Sequence, residues 1–193
     1  MQEITADKKW LLKAKGITEF VINNFSEADT GFFFYTSSSQ KDVIFRKKEV
    51  YDGAVPSGNS TMAYNLYQLS ILFTKPEWKK RSLDMISSLG KAITRYPTSF
   101  GNWANLLQEI ITGTNEITVI GNNISGILTE LLGEFIPHRV IMVADTSDPT
   151  FPLLAEKSVI GNPTIYLCRN NTCQHPVFSV EELTALINKA PDS

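Results

Sequence analysis

The chain has 193 residues, 42% of them apolar and 20% charged, which fits one globular domain or two small ones. Its formal net charge of −2 lacks the positive excess of a nucleic-acid-binding protein, so we predict no nucleic-acid partner. No apolar run approaches the roughly 20 residues of a membrane span, and no secretory signal opens the chain, so we predict no membrane partner. Two cysteines are too few for a disulfide-stapled secreted fold, and we expect a cytoplasmic protein.

The region 1–113 is predicted to be mainly helical. Apolar residues three and four positions apart between Trp10 and Phe25 predict an amphipathic helix. Two short β-type runs follow, at 32–35 and 43–45, and we expect them to pair as a hairpin at about 32–46. Further helices are predicted at 60–73, 77–95 and 100–111, with proline-containing breaks between them.

The pattern changes near residue 113, where we place a domain boundary. From 114 to 193 short β-branched runs alternate with helical patterns, which predicts a small parallel α/β sheet with strands buried on both faces. The predicted fold class is therefore mixed α and α/β, with helical hairpins first and a small α/β region second. The expected strands lie at 117–121, 140–144 and 164–168, and the expected helices at 125–135 and 180–188.

The most distinctive stretch lies at 51–60, where two glycines, one proline and several small polar residues stand together. Gly53 and Gly58 permit backbone angles closed to other residues, and Pro56 fixes its own φ. Ser57, Asn59 and Ser60 are all favoured N-cap residues, so a helix is expected to start here. The first N–H groups of that helix attract oxygen ligands. The loop is therefore either a binding loop or a brace for the helix.

Four segments come in an order that resembles the C-terminal part of the YyaL-like, or spermatogenesis-associated protein 20-like, family. They are Gly31-Phe32-Phe33-Phe34, the Arg46/Lys48 segment, Asp52-Gly53-Ala54 with Pro56-Ser57-Gly58-Asn59, and Cys168-Arg169-Asn170 with Thr172-Cys173-Gln174 and Pro176. The resemblance implies a thioredoxin-like domain followed by an (α/α) toroid of the N-acylglucosamine 2-epimerase or six-hairpin glycosidase type. This chain then corresponds to an incomplete toroid, without the N-terminal domains.

The toroid implies carbohydrate-type chemistry, with a pocket for a sugar-like ligand at the loop 46–59. Asp52 is then the candidate catalytic acid or base. Ser57 and Asn59 are candidate partners for sugar hydroxyls, and Arg46 and Lys48 are candidates for holding an anionic group.

Each of these assignments has a purely structural alternative. Asp52 equally fits a turn-capping carboxylate that accepts backbone N–H bonds. Glycosidases need two carboxylates in set geometry, and the nearby second candidate is Glu49. Arg46 and Lys48 equally fit a solvated β edge.

Cys168 and Cys173 are redox candidates separated by four residues. A metal site needs about four ligands and the nearby His175 supplies only a third, so we predict no metal site and assign no cofactor. A redox pair is more often Cys-x-x-Cys, and a disulfide across a turn needs close Cβ atoms. We expect two reduced, partly buried thiols at a strand end. The family resemblance keeps a redox or metal role as the alternative.

Three functions follow from these features: a carbohydrate-active toroid fragment, a non-catalytic binding or assembly module, and a thiol-redox accessory to a thioredoxin-like domain. Two hairpins of a toroid leave apolar surface exposed, so we expect a homo-oligomer or a partner that supplies the missing N-terminal domains. A second carboxylate facing Asp52 favours the first function, and an apolar face buried in a dimer favours the second. A Cys168–Cys173 bond that forms and breaks favours the third.

Overall fold

The computed structural model describes residues 1–122, 124–161, 163–170 and 172–189. They form two compact units. One unit runs from Leu11 to Ile111, and the other combines Met1–Trp10 with the chain from Thr112 onwards. The division lies close to the boundary expected near residue 113, but the first ten residues join the second half of the chain. No described helix is both long and apolar enough to cross a membrane.

The helices and strands alternate only in the second half of the chain. The helices are α1 (Gln2–Thr5), α2 (Lys9–Phe25), α3 (Gly58–Phe73), α4 (Pro76–Leu89), α5 (Lys91–Arg95), α6 (Gly101–Thr112), α7 (Ser125–Gly133) and α8 (Val180–Asn188), with a 3-10 turn at Pro97–Ser99. The strands are β1 (Asn115–Ile120), β2 (Arg139–Ala144), β3 (Thr164–Arg169) and β4 (Thr172–Cys173). The predicted mixed α and α/β fold class is confirmed.

The helical unit is built on a hairpin of α3 and α4. The side chain of Ser57 accepts a hydrogen bond from the N–H of Ser60 and so caps α3. Thr74 ends the helix in the left-handed region, and Pro76 begins α4, where its missing N–H costs nothing. Ser82 of α4 makes a hydrogen bond to α3: its Oγ donates to the carbonyl oxygen of Ala63 at 2.7 Å. Both residues are fully buried.

The β-hairpin expected at about 32–46 is not formed. Phe33 makes an isolated antiparallel bridge with Ser26, and no strand is assigned at 43–45. The backbone of this segment bonds to several other groups instead. The Asn59 amide hydrogen-bonds both the N–H and the carbonyl of Phe33, and the Arg81 guanidinium donates to the carbonyl of Gly31. The N–H of Tyr35 donates to the carbonyl of Lys47 at 2.9 Å, and this single bond does not make a strand pair.

The second unit contains one four-stranded sheet in the order β2-β1-β3-β4. β1 and β2 are parallel as expected, but β3 runs antiparallel to β1, so the sheet is mixed. The 145–163 connection to β3 has no helix among its described residues, whereas a parallel crossover normally uses one. One face packs on α7 and α8. Its core residues include Ile117, Val119, Ile141, Val143, Ile165 and Leu167 from the strands, and Leu128, Leu131, Val180 and Leu183 from the helices.

An ion pair between Lys8 and Asp148 lies within this second unit. Hydrogen bonds from the Lys8 ammonium and then from the N–H of Thr150 lower the pKa of Asp148 to about 2. A carboxyl pKa that is lower in the folded chain gives stability that is present above the unfolded value, near 4. That contribution is lost as the pH falls from about 4 to about 2.

Replacing Lys8 by methionine is expected to raise the pKa of Asp148 by about one unit or more, because the carboxylate loses its main hydrogen-bond donor. Carboxyl-carbon NMR titration of the intact chain measures this value directly. Lys41→Met removes an exposed lysine from the other unit and should leave it unchanged. A pKa that stays near 2 in Lys8→Met would show that the ion pair does not set it.

Candidate functional site

Asp52 is a buried carboxylate that faces the starts of two helices. Its Oδ1 accepts hydrogen bonds from the N–H of Ser57 at 2.8 Å and from the hydroxyl of Ser60 at 2.6 Å. Its Oδ2 accepts from the N–H of Asn102 at 2.9 Å, in the first turn of α6. Helix N-termini carry partial positive charge and unpaired N–H groups, so a carboxylate here is stabilising. The geometry is that of a carboxylate that caps helices.

Glu49 lies before the loop and is turned towards its own backbone. Its Oε1 accepts from the N–H groups of Val50 and Tyr51, at 3.0 and 3.1 Å. In retaining and inverting glycosidases both carboxyl groups face the substrate across a cleft. In this structure the carboxylates of Asp52 and Glu49 instead accept hydrogen bonds from backbone N–H groups and, for Asp52, from the hydroxyl of Ser60.

Ser57 and Asn59 are likewise engaged inside the helical unit. Besides capping α3, the Ser57 hydroxyl donates to the carbonyl of Val50 at 3.3 Å. The Asn59 Oδ1 accepts from the N–H of Phe33 at 2.7 Å, and its Nδ2 donates to the carbonyls of Phe33 and Glu49 at 3.0 and 2.8 Å. Asn59 is only 2% exposed. Its amide therefore joins three segments that are distant in sequence.

The side chains of Arg46 and Lys48 interact with residues that come earlier in the chain. The Arg46 guanidinium donates to the carbonyl of Thr36 at 2.6 Å and lies 4.2 Å from the ring centroid of Phe34. The Lys48 ammonium donates to both carboxylate oxygens of Glu27, at 2.7 and 2.5 Å. Both cations therefore have partners within the helical unit.

Arg81 belongs to the same network but was not predicted from the sequence. It donates to the carbonyl of Gly31 at 2.8 Å and to the hydroxyl of Ser26 at 2.9 Å. Burial lowers its pKa, and its guanidinium lies 3.9 Å from the ring centroid of Phe33. In the sequence it follows Lys79 and Lys80, a pattern that is typical of a solvated helix face. No local signal distinguishes it.

A cavity of about 170 Å³ lies beside the start of α3, within the helical unit. Its walls are mainly apolar, and the amide of Asn59 is already bonded as described above. A sugar site needs several converging polar groups, whereas this cavity suits an apolar group. The lining residues are Val21, Phe25, Phe33, Phe34, Tyr35, Gly58, Asn59 and Met62.

Cys168 and Cys173 form a disulfide, whereas two reduced thiols were expected. The two residues are direct partners in the antiparallel pairing of β3 with β4, with Cα atoms 3.9 Å apart. The pairing of β3 with β4 brings the two side chains together, and the sequence spacing alone did not show this. Among the described residues, no group of three or more His, Cys, Asp or Glu is placed to hold a metal ion.

Comparison with known proteins supports the family resemblance. No family model matches the chain. It is 23% identical over 200 residues to spermatogenesis-associated protein 20 of Rattus norvegicus, which covers 98% of this chain. It is 22% identical over 199 residues to the Homo sapiens protein of that name, covering 97% of this chain. It is also 25% identical over 167 residues to an uncharacterized protein of Caenorhabditis elegans, covering 81% of this chain.

The chain spans about a quarter of the length of these curated relatives, 25% for the rat and human proteins and 22% for the nematode one. The resemblance to the spermatogenesis-associated protein 20-like family is confirmed over nearly the whole chain. A match to the C-terminal end of these relatives stays a prediction.

Proposed function

We propose that this chain, a relative of spermatogenesis-associated protein 20, is a non-catalytic assembly module that pairs with a second copy of itself through α2. The observation that carries the proposal is an exposed stripe on that helix, formed by Leu12, Gly16 and Phe20. Leu12 is 53% exposed and Phe20 58% exposed. Residues four apart lie on one face of a helix, so the three positions form a continuous stripe. We call it the α2 stripe.

The α2 stripe has the symmetry that an antiparallel pair of identical helices requires. Leu12 and Phe20 stand four residues on either side of Gly16. In a two-fold pair centred on Gly16, Leu12 of one copy therefore packs on the partner's Phe20. Nothing lies within 4 Å of the position that a Cβ at Gly16 would occupy. A glycine at the crossing point lets two helices approach closely.

The contacts of the loop at 51–60 support a non-catalytic role. The Asp52 carboxylate accepts hydrogen bonds at the starts of α3 and α6, and the Asn59 amide hydrogen-bonds to the backbone of Phe33 and Glu49. These bonds use polar atoms that a ligand would otherwise contact. The apolar cavity beside α3 offers a sugar little to bind. Carbohydrate chemistry at this loop stays a prediction, without support from these contacts.

Phe20→Glu is expected to dissociate the dimer. The change places a carboxylate in the apolar contact twice per dimer, and each copy should cost about 2 kcal/mol. The dissociation constant should then rise on the order of a thousandfold. Sedimentation velocity over a concentration series measures this constant. The matched control is Phe135→Glu, because Phe135 is 92% exposed and lies in the other unit.

If Phe20→Glu sediments like the parent chain, the proposed interface is wrong.

A further inference from the structure

The disulfide between Cys168 and Cys173 lies against a lysine from a different segment. The Lys157 ammonium is 2.9 Å from the Cys173 Sγ and 3.6 Å from the Cys168 Sγ. Cys173 is exposed and Cys168 is only 2% exposed, so one sulfur of the pair is open to attack from solution. A cation beside a cysteine stabilises the thiolate over the thiol.

Lys157 is held in place by the groups around it. Its ammonium lies 4.8 Å from the ring centroid of Tyr166, whose hydroxyl donates to the carbonyl of Ser158 at 2.7 Å. Burial lowers the pKa of Lys157, while the nearby carboxylates of Glu116 and Glu156 act in the opposite direction. A partly desolvated ammonium interacts more strongly with a neighbouring thiolate than a solvated one does.

We propose that Cys168 and Cys173 form a reversible dithiol–disulfide site that exchanges with a dithiol reductant, and that Lys157 is the positioning residue for its thiolates. The residues concerned are separate from the α2 stripe, so this inference stands independently of the proposed self-association. It also assigns a role to a lysine that the sequence pattern did not single out.

The exchange balances as a two-electron reduction. A thiolate of the dithiol reductant attacks the exposed Cys173 Sγ, and the bond between the two protein sulfurs breaks. Cys168 leaves as a thiolate with the electron pair, beside the Lys157 ammonium. The second thiol of the reductant, as its thiolate, attacks the mixed disulfide and expels Cys173 as a thiolate, also beside Lys157. The reductant becomes a disulfide, and its two protons end on the two protein thiols.

The test follows the reduction of the intact oxidised chain by dithiothreitol at neutral pH, with thiol release measured by alkylation and mass spectrometry. Lys157→Met is expected to slow reduction about three- to tenfold, because a leaving thiol of higher pKa leaves more slowly. Lys157→Arg keeps the positive charge and should reduce at nearly the parent rate. Lys91→Met, an exposed lysine of the helical unit, is the matched control.

The second readout is the pH dependence of alkylation in the reduced chain. The thiol of Cys173 should titrate below the usual value of about 8.5 in the parent and near it in Lys157→Met. Equal reduction rates in Lys157→Met and Lys91→Met would overturn the role of Lys157. If the disulfide stays oxidised in a glutathione buffer as reducing as a cytosol, the proposed reversible site is wrong, whatever the reduction rates of the variants. Reduction in that buffer with the expected rate order supports both.

Discussion

Asp52→Ala is expected to lower the free energy of unfolding by about 3–5 kcal/mol. The change leaves two buried or half-buried donors without their acceptor, the N–H groups of Ser57 and Asn102. It also removes one of the two acceptors of the Ser60 hydroxyl, which keeps the carbonyl of Ser57 at 3.0 Å. Each buried donor that loses its partner costs about 1–3 kcal/mol. Because whole domains are stable by only about 5–15 kcal/mol, this loss is a large fraction of the total. Urea unfolding followed by tryptophan fluorescence measures it.

Two further variants separate the structural role from a general effect of removing charge. Asp42→Ala removes an exposed carboxylate and should change stability by no more than about 0.5 kcal/mol. Asp52→Asn keeps the side-chain volume and one acceptor oxygen but presents an NH₂ group to one donor, so it should cost less than Asp52→Ala. An Asp52→Ala chain as stable as the parent would refute the capping role and return Asp52 to the list of candidate acids.

Trp103→Ala is expected to cost about 3–5 kcal/mol as well, through a different mechanism. Trp103 lies in α6 and is fully buried. Its indole N–H donates to the carbonyl of Val50 at 2.8 Å, and its ring meets that of Phe32 edge-on, with centroids 6.2 Å apart. The truncation therefore removes a large apolar contact and the shorter of two hydrogen bonds to the carbonyl of Val50, which keeps the bond from the Ser57 hydroxyl. Tertiary contact between α6 and the 51–60 loop should weaken together with stability.

Trp103→Phe is the informative comparison for the same position. It keeps most of the ring contact and loses only the hydrogen bond to Val50, so it should cost about 1–2 kcal/mol. Thermal unfolding followed by circular dichroism gives both values under one condition. A cost below about 1 kcal/mol for Trp103→Ala would mean that the α6 contact does not support the loop.

The helices of the first unit were largely predictable, because their signals are local. The periodicity after Ser60 and the N-cap at Ser57 placed the start of α3. The segment at 32–35 was mispredicted for the opposite reason. Aromatic residues favour a strand, but the backbone there is bound by Asn59 and Arg81, which lie 26 or more positions away in the sequence. Pattern reasoning does not detect such long-range pairing.

In the sheet, too, the features with local sequence signals were predictable and the long-range features were not. The runs that became β1, β2 and β3 were recognisable as apolar and β-branched, and β1 is buried along its whole length. The direction of β3 was not recognisable, because it depends on how the 145–163 segment returns to the sheet. The disulfide between Cys168 and Cys173 likewise depends on the pairing of β3 with β4, which residue type alone does not reveal.

The candidate site shows that the same residue types suit both a ligand and a structural role. The sequence singled out Asp52, Ser57 and Asn59 because their polar atoms suit a ligand. The same atoms suit the unpaired N–H groups of helix starts, and the described contacts use them there. Sequence alone cannot separate the two uses, because both need the same donors and acceptors.

Light scattering of the unaltered chain across a range of concentrations gives its solution mass and so decides whether it self-associates. We expect a species of twice 21.6 kDa that dissociates on dilution and is lost in Phe20→Glu. A chain that stays at 21.6 kDa at every concentration would contradict self-association through the α2 stripe and leave the proposed assembly role without its basis.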